Sequence, residues 1–90
     1  MKIVVIIPTY NERENIISLL DQLIGVTAGI AKHRFVFLVV DDTSPDKTGA
    51  VVETYRKTHK NVVLLSGDKE GLGKALLRGM KYAAEVLGTD

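Results

Sequence analysis

The run Phe35-Val36-Phe37-Leu38-Val39-Val40-Asp41-Asp42-Thr43-Ser44-Pro45-Asp46 passes straight from apolar residues into paired carboxylates and a turn signal. An apolar run of β-branched and aromatic residues without polar alternation predicts a strand buried on both faces, as at the centre of a parallel sheet. Its C-terminal end then carries two acids, and in an open α/β sheet that rim is where ligands bind. Two further stretches serve the same rim. One is the exit of the first apolar run, Pro8-Thr9-Tyr10-Asn11-Glu12, and the other is a glycine-basic segment, Gly67-Asp68-Lys69-Glu70-Gly71-Leu72-Gly73-Lys74. Together they describe a nucleotide-binding half-domain.

The remaining elements follow from periodicity. Lys2-Ile3-Val4-Val5-Ile6-Ile7 is unalternated and closed by Pro8, which predicts a strand that is central, or becomes central in a complete sheet. Asn11 with Glu14 three residues on resembles a capping signal, so a helix should start near Glu12, bury Ile16, Ile17, Leu20, Leu23 and Ile24, and stop at Gly25. Val26 to Arg34 reads as a connection. Ser44-Pro45 predicts the next helix start, with Val51, Val52 and Tyr55 as its apolar face, and Val62-Val63-Leu64-Leu65-Ser66 a third strand. Leu72, Leu76, Gly79, Met80, Ala83 and Leu87 keep helical spacing to the end of the chain. Gly79 inside that helix costs about 1 kcal/mol relative to Ala, which predicts close packing against the sheet. Three alternations of strand and helix with right-handed crossovers give an α/β protein, a Rossmann-like parallel sheet of order βαβαβα.

The totals set bounds. Ninety residues make one small domain, which hides only about 60–65% of its unfolded surface. With 46% hydrophobic and 26% charged residues the chain is an ordinary globular one, and a net charge of +1 carries no nucleic-acid signature. The absence of cysteine excludes disulfides, thiol chemistry and cysteine-based zinc sites. The run Ile3 to Ile7 falls far short of the ~20 residues a membrane helix needs, so the expectation is a soluble, cytoplasmic segment.

Each chemical feature has a structural and a functional reading. Asp41 and Asp42 could both serve to cap the next helix, with Asp46 at its positive end. Neighbours on a strand point to opposite sides, so one acid should face the ligand crevice while the other braces the loop. A carboxylate in the crevice suits a base edge: it accepts the N–H of uracil, or two N–H groups of guanine at once. Tyr10 can lie against a base or ribose and Glu12 can accept a ribose hydroxyl, while Asn11 is explained by the turn. The glycine segment fails as a P-loop, because Asp68 stands where the first glycine belongs and Ala75 replaces the magnesium-binding hydroxyl. It also fails as a dinucleotide fingerprint, with Leu76 at the third glycine site. What survives is backbone N–H groups near a helix N-terminus with Lys69 and Lys74 beside them, a setting for a diphosphate. Arg78 reads as surface, and His33 and His59, each beside a lysine, as exposed.

Three stretches together resemble one family. Ile6-Ile7-Pro8-Thr9-Tyr10-Asn11-Glu12, then Val39-Val40-Asp41-Asp42-Thr43-Ser44-Pro45-Asp46-Lys47-Thr48, then Lys69-Glu70-Gly71-Leu72-Gly73-Lys74-Ala75 with Gly79, are similar to the start of the family 2 inverting glycosyltransferases. Within that family the strings look most like the polyprenol-phosphate sugar transferases of the dolichol-phosphate mannosyltransferase type. The resemblance implies that residues 1–90 are the N-terminal, donor-binding part of a GT-A fold, taking a nucleotide diphosphate sugar such as GDP-mannose or UDP-glucose. It places Pro8, Tyr10 and Glu12 along the base and ribose, Asp42 on the base with Asp41 beside it, and Lys69 with Gly71 at the diphosphate. Thr43, Lys47 and Lys74 depart from the family pattern, Lys47 standing where Gly often occurs.

Members of the family continue into a fourth strand with an Asp-x-Asp motif that binds Mg or Mn, and then into an acceptor region carrying the catalytic base. No Asp-x-Asp occurs in this sequence, so these 90 residues alone should not transfer sugar to the implied polyprenyl (dolichyl) phosphate acceptor; the resemblance implies a place at the cytoplasmic membrane face for the full-length protein. The implied strand order 3-2-1 leaves the first strand without a second neighbour, from which self-association through that strand is expected. Two other readings stay open: a stand-alone nucleotide-binding module, and a βαβ folding unit without catalysis.

Overall fold

A computed structural model describes residues 2–30, 32–42, 44–67 and 71–87. Phe35–Val40 lies where an unalternated apolar run has to lie. Strand β2 (Arg34–Asp41) is the middle of a three-stranded sheet, parallel on one side to β1 (Lys2–Thr9) and on the other to β3 (Val62–Ser66). Phe37, Leu38, Val39 and Val40 are all fully buried. Strand alternation divides them between two cores. Phe37 and Val39 pack with Ile16, Leu20 and Val52 from helices α1 (Ile16–Thr27) and α2 (Thr48–Arg56). Leu38 and Val40 pack on the other face with Ala75 and Ala83, from α3 (Leu72–Tyr82) and the π-helical turn Ala83–Leu87 that continues it. The result is a parallel α/β sheet in βαβαβα order.

β1 is an edge strand, as the strand order 3-2-1 implies, and its residues from Lys2 to Pro8 are only half-buried because they have one neighbour. Several local expectations are corrected. α1 buries the expected stripe, but it begins at Ile16 with Asn15 before it, not near Glu12. The reason is that the Glu12 and Arg13 N–H groups are taken by side chains across the rim, Thr48 Oγ1 at 3.0 Å and Asp46 Oδ2 at 3.1 Å. Asn11 is not a cap: it sits in the left-handed region at φ 57°. Gly25 does not stop α1, which runs on to Thr27, whose hydroxyl bonds back to the Leu23 carbonyl at 2.8 Å. α2 starts at Thr48, not at Ser44-Pro45, because Asp46 Oδ1 accepts the Thr48 N–H at 3.0 Å while Ser44 is engaged elsewhere. His33 and His59 are half-buried, not exposed: His33 meets Phe35 edge-on, and His59 stacks flat on Tyr55 with ring centroids 3.8 Å apart.

α3 shows why Gly79 is glycine. A methyl at that position would stand 2.8 Å from Val40 Cγ2 and 2.9 Å from Ile6 Cγ2, so the helix lies nearer the sheet than any side chain permits. The line facing the sheet is therefore Ala75, Gly79 and Ala83, while Leu76 and Met80, expected in the stripe, flank it and stay 41% and 52% exposed. The side chains of Leu72 and Leu87 lie outside the described set.

Candidate functional site

Parallel register brings three loops to one rim. Thr9 pairs with Asp41 and Asp41 with Ser66, so the chain exits of all three strands stand in a row. Tyr10 and Asp42 each follow one residue beyond that row, and the backbone ties them down: Asp42 N–H donates to the Thr9 carbonyl at 3.1 Å, and Gly67 N–H to the Asp41 carbonyl at 3.1 Å.

The two aspartates do different work. Asp41 is 3% exposed, and its carboxylate accepts the Thr9 hydroxyl at 2.9 Å, the Ser44 hydroxyl at 2.6 Å and the Ser44 N–H at 3.1 Å. Ser44 Oγ in turn accepts the Asn11 N–H at 2.9 Å, so Asp41 braces the β1 and β2 exits against each other. Asp42 is equally buried but turns the other way, with Oδ2 accepting the Gly71 N–H at 3.0 Å and Arg78 Nη2 lying 3.8 Å from Oδ1. Both described ends of the glycine segment are thus held by the acidic pair, Gly67 through the Asp41 carbonyl and Gly71 through the Asp42 carboxylate. Gly71 stands at φ 94°, open to glycine and strained for other residues.

A second layer joins the starts of α1 and α2. Asp46 accepts N–H groups from Arg13 and Thr48 and the Thr48 hydroxyl. Burial pushes its carboxyl up, but the Thr48 hydroxyl, the two backbone N–H groups and the Arg13 charge outweigh it and hold the group below its usual value. Further down the same helices, Tyr55 OH donates to Asp21 Oδ1 at 2.6 Å; burial first, and the Asp21 carboxylate second, push this phenol up to about 12.

Of the expected site residues, Pro8 and Glu12 line one cavity of about 250 Å³ with Ile7, Thr9, Asn15, Ile16 and Leu19. Asp42 and Gly71 meet through their hydrogen bond, Tyr10 is half-buried at the same rim, and Asp41 is enclosed in the brace. Lys69 lies outside the described residues. A larger, mainly apolar groove of about 590 Å³ runs between α1 and α2, lined by Arg13, Ile17, Lys47, Ala50, Val51, Thr54 and Tyr55, and takes in none of the expected residues. Sequence reasoning missed Arg78. Its guanidinium lies so close under Gly67 that a methyl there would come within 2.2 Å of Cζ. The available signal was its place directly before Gly79, a position of α3 pressed onto the sheet.

Among the described residues no group of three or more His, Asp or Glu could hold a metal ion. Asp41 already accepts three hydrogen bonds from Thr9 and Ser44. No helix among the described residues is long and apolar enough to cross a membrane.

A parallel βαβαβα sheet with this acidic rim has the architecture of the N-terminal part of a GT-A glycosyltransferase. The chain belongs to glycosyl transferase family 2, whose sequence profile matches residues 4–85. It is 37% identical over 84 residues to a dolichol-phosphate mannosyltransferase of Pyrococcus furiosus, an alignment covering 93% of this chain and 23% of the relative. It is 38% identical over 86 residues to an undecaprenyl-phosphate mannosyltransferase of Micrococcus luteus, covering 94% and 33% respectively. Among solved structures, the mannosyltransferase PcManGT of Pyrobaculum calidifontis, in complex with GDP-Man and Mn²⁺, superposes with a TM-score of 0.77 at 30% identity over 90% of this chain and 24% of that one. The chain thus spans about a quarter to a third of the length of these relatives.

Proposed function

We propose that this chain is the donor-binding part of an inverting glycosyltransferase that moves a sugar from a nucleotide diphosphate, of the GDP-mannose or UDP-glucose type, to a polyprenyl phosphate. What supports the reading is the parallel register, which sets Tyr10 and Asp42 one residue past adjoining strand exits, with Gly71 bonded to Asp42 and Pro8 and Glu12 lining a cavity beside the β1 exit. The GDP-Man in PcManGT supports the donor class, and the names of the two relatives support the acceptor class.

In this reading Asp42 accepts base N–H groups, Pro8, Tyr10 and Glu12 line the base and ribose, and Lys69 lies by the diphosphate. Asp42 is 3% exposed, so the Gly71 N–H must give way when a base arrives. The left-handed glycine backbone is suited to that movement. A divalent ion would neutralise the departing diphosphate in the family. The described residues supply no group of three or more ligands for it. Sugar transfer is expected to require chain beyond these 90 residues.

Calorimetric titration with GDP and with UDP tests the reading. Binding of one of them, weakened on the order of tenfold by Asp42→Asn, is expected, since that change removes a charged acceptor and keeps its shape. Equal affinity in the variant would remove Asp42 from the site, and no binding of either nucleotide by the unaltered chain would defeat the proposal.

A further inference from the structure

The reaction assigns no task to Arg78, yet its position is tightly specified. It projects from α3 two turns beyond Gly71, its side chain is 25% exposed, and its guanidinium fills the space over Gly67 that any larger residue would claim. Nη2 stands 3.8 Å from Asp42 Oδ1, while the other carboxylate oxygen, Oδ2, takes the Gly71 N–H at 3.0 Å. The Asp42 side chain is only 4% exposed, and a carboxylate so far from water needs a fixed cation or donors to remain ionised.

These two partners of the carboxylate differ in kind. Arg78 is a cation carried on a helix, with its guanidinium against Gly67. The Gly71 N–H belongs to a left-handed glycine at a helix start and can leave. A backbone N–H on Oδ2 stands where the N–H of a base would stand.

We propose that Arg78 is a positioning residue for nucleotide recognition: its charge, set beside Oδ1, orients the Asp42 carboxylate, while Oδ2 exchanges the Gly71 N–H for a base N–H. The inference rests on the reading of Asp42 given above. It adds that the specificity-determining acid is set from behind by α3, through a guanidinium lying where a methyl at position 67 would displace it.

The test uses ¹⁵N–¹H spectra of the 90-residue chain, without nucleotide and then titrated with GDP and UDP, for Arg78→Met, Arg78→Lys and Gly67→Ala. Without nucleotide, the Gly71 amide proton should move upfield in Arg78→Met and Gly67→Ala, and hold near its original position in Arg78→Lys. The added methyl of Gly67→Ala displaces the guanidinium, so it should have no further effect in the Arg78→Met background. With nucleotide, affinity should fall on the order of tenfold in Arg78→Met and Gly67→Ala and be largely kept in Arg78→Lys. An unmoved Gly71 amide in Arg78→Met, undiminished affinity in that variant, or additive effects of the two changes would each overturn the inference. Failure of the unaltered chain to bind either nucleotide would defeat the functional reading instead, and the nucleotide-free spectra would still judge Arg78.

Discussion

Lys47 is the residue whose conformation agrees least with its side chain. It stands at φ 70° directly before α2, in a region that costs a residue with a Cβ roughly 1–2 kcal/mol relative to glycine. A glycine would adopt this φ without that cost. Lys47→Gly should therefore stabilise the fold, by about 0.5–1 kcal/mol after the extra freedom of glycine in the unfolded chain is subtracted. Urea unfolding reads the difference, and an unchanged or lower midpoint would mean that the left-handed turn carries no strain. The division of labour between Asp41 and Asp42 belongs here too. That the two acids point apart was legible from strand alternation, and which one braces was not, because the answer depends on Thr9 and Ser44, two small hydroxyl residues with many uses.

Helix starts were the least legible elements. Asn11, Ser44 and Asp46 are all residues that favour capping, and only Asp46 caps the helix that follows it. The others are drawn into bonds between loops more than thirty residues apart in sequence, which no local pattern encodes. Apolar periodicity, by contrast, placed the strands and the buried faces of α1 and α2, since burial on a sheet leaves little choice of side. It failed on α3 because large residues were assumed to face the core, whereas Gly79 draws the helix in until only Ala75 and Ala83 fit beside it. The pairing of α1 with α2 also makes stability depend on pH. Tyr55 donates to Asp21 and its phenol is raised to about 12 from an ordinary 10.0, so its contribution is complete below pH 10 and is lost as pH rises through 12. Tyr55→Phe should be less stable than the natural chain at pH 8, and the gap should close between pH 10 and 12 in denaturant titrations. A gap that stays constant over that interval would show that the hydroxyl is not bonded to Asp21. Asp46 has the opposite sign: held below its ordinary value, it stabilises above about pH 3.8 and loses that effect as pH falls further.

Among the described residues the sheet has two edge strands, β1 and β3, of which β1 is the longer. β1 is eight residues long with a single neighbour, and its apolar residues are half-buried at the edge of the sheet. Such an edge pairs readily with another chain. Light scattering of the 90-residue chain should show an apparent mass that climbs with concentration, and a constant monomer mass up to millimolar levels would contradict this. The rim at the C-terminal ends of the strands carries the functional reading, and its outline was visible in the sequence because three motifs in order led to three parallel strand exits. Hidden from that reading was Arg78, whose place depends on how near α3 lies to the sheet. The claim on which the rest depends is that one nucleotide binds across those exits. A residue-by-residue map of amide shifts on titration with GDP-mannose is the direct measurement. Changes concentrated at Tyr10, Glu12, Asp42 and Gly71 are predicted, and changes confined to the α1–α2 groove around Ile17, Val51 and Tyr55, or none at all, would contradict it.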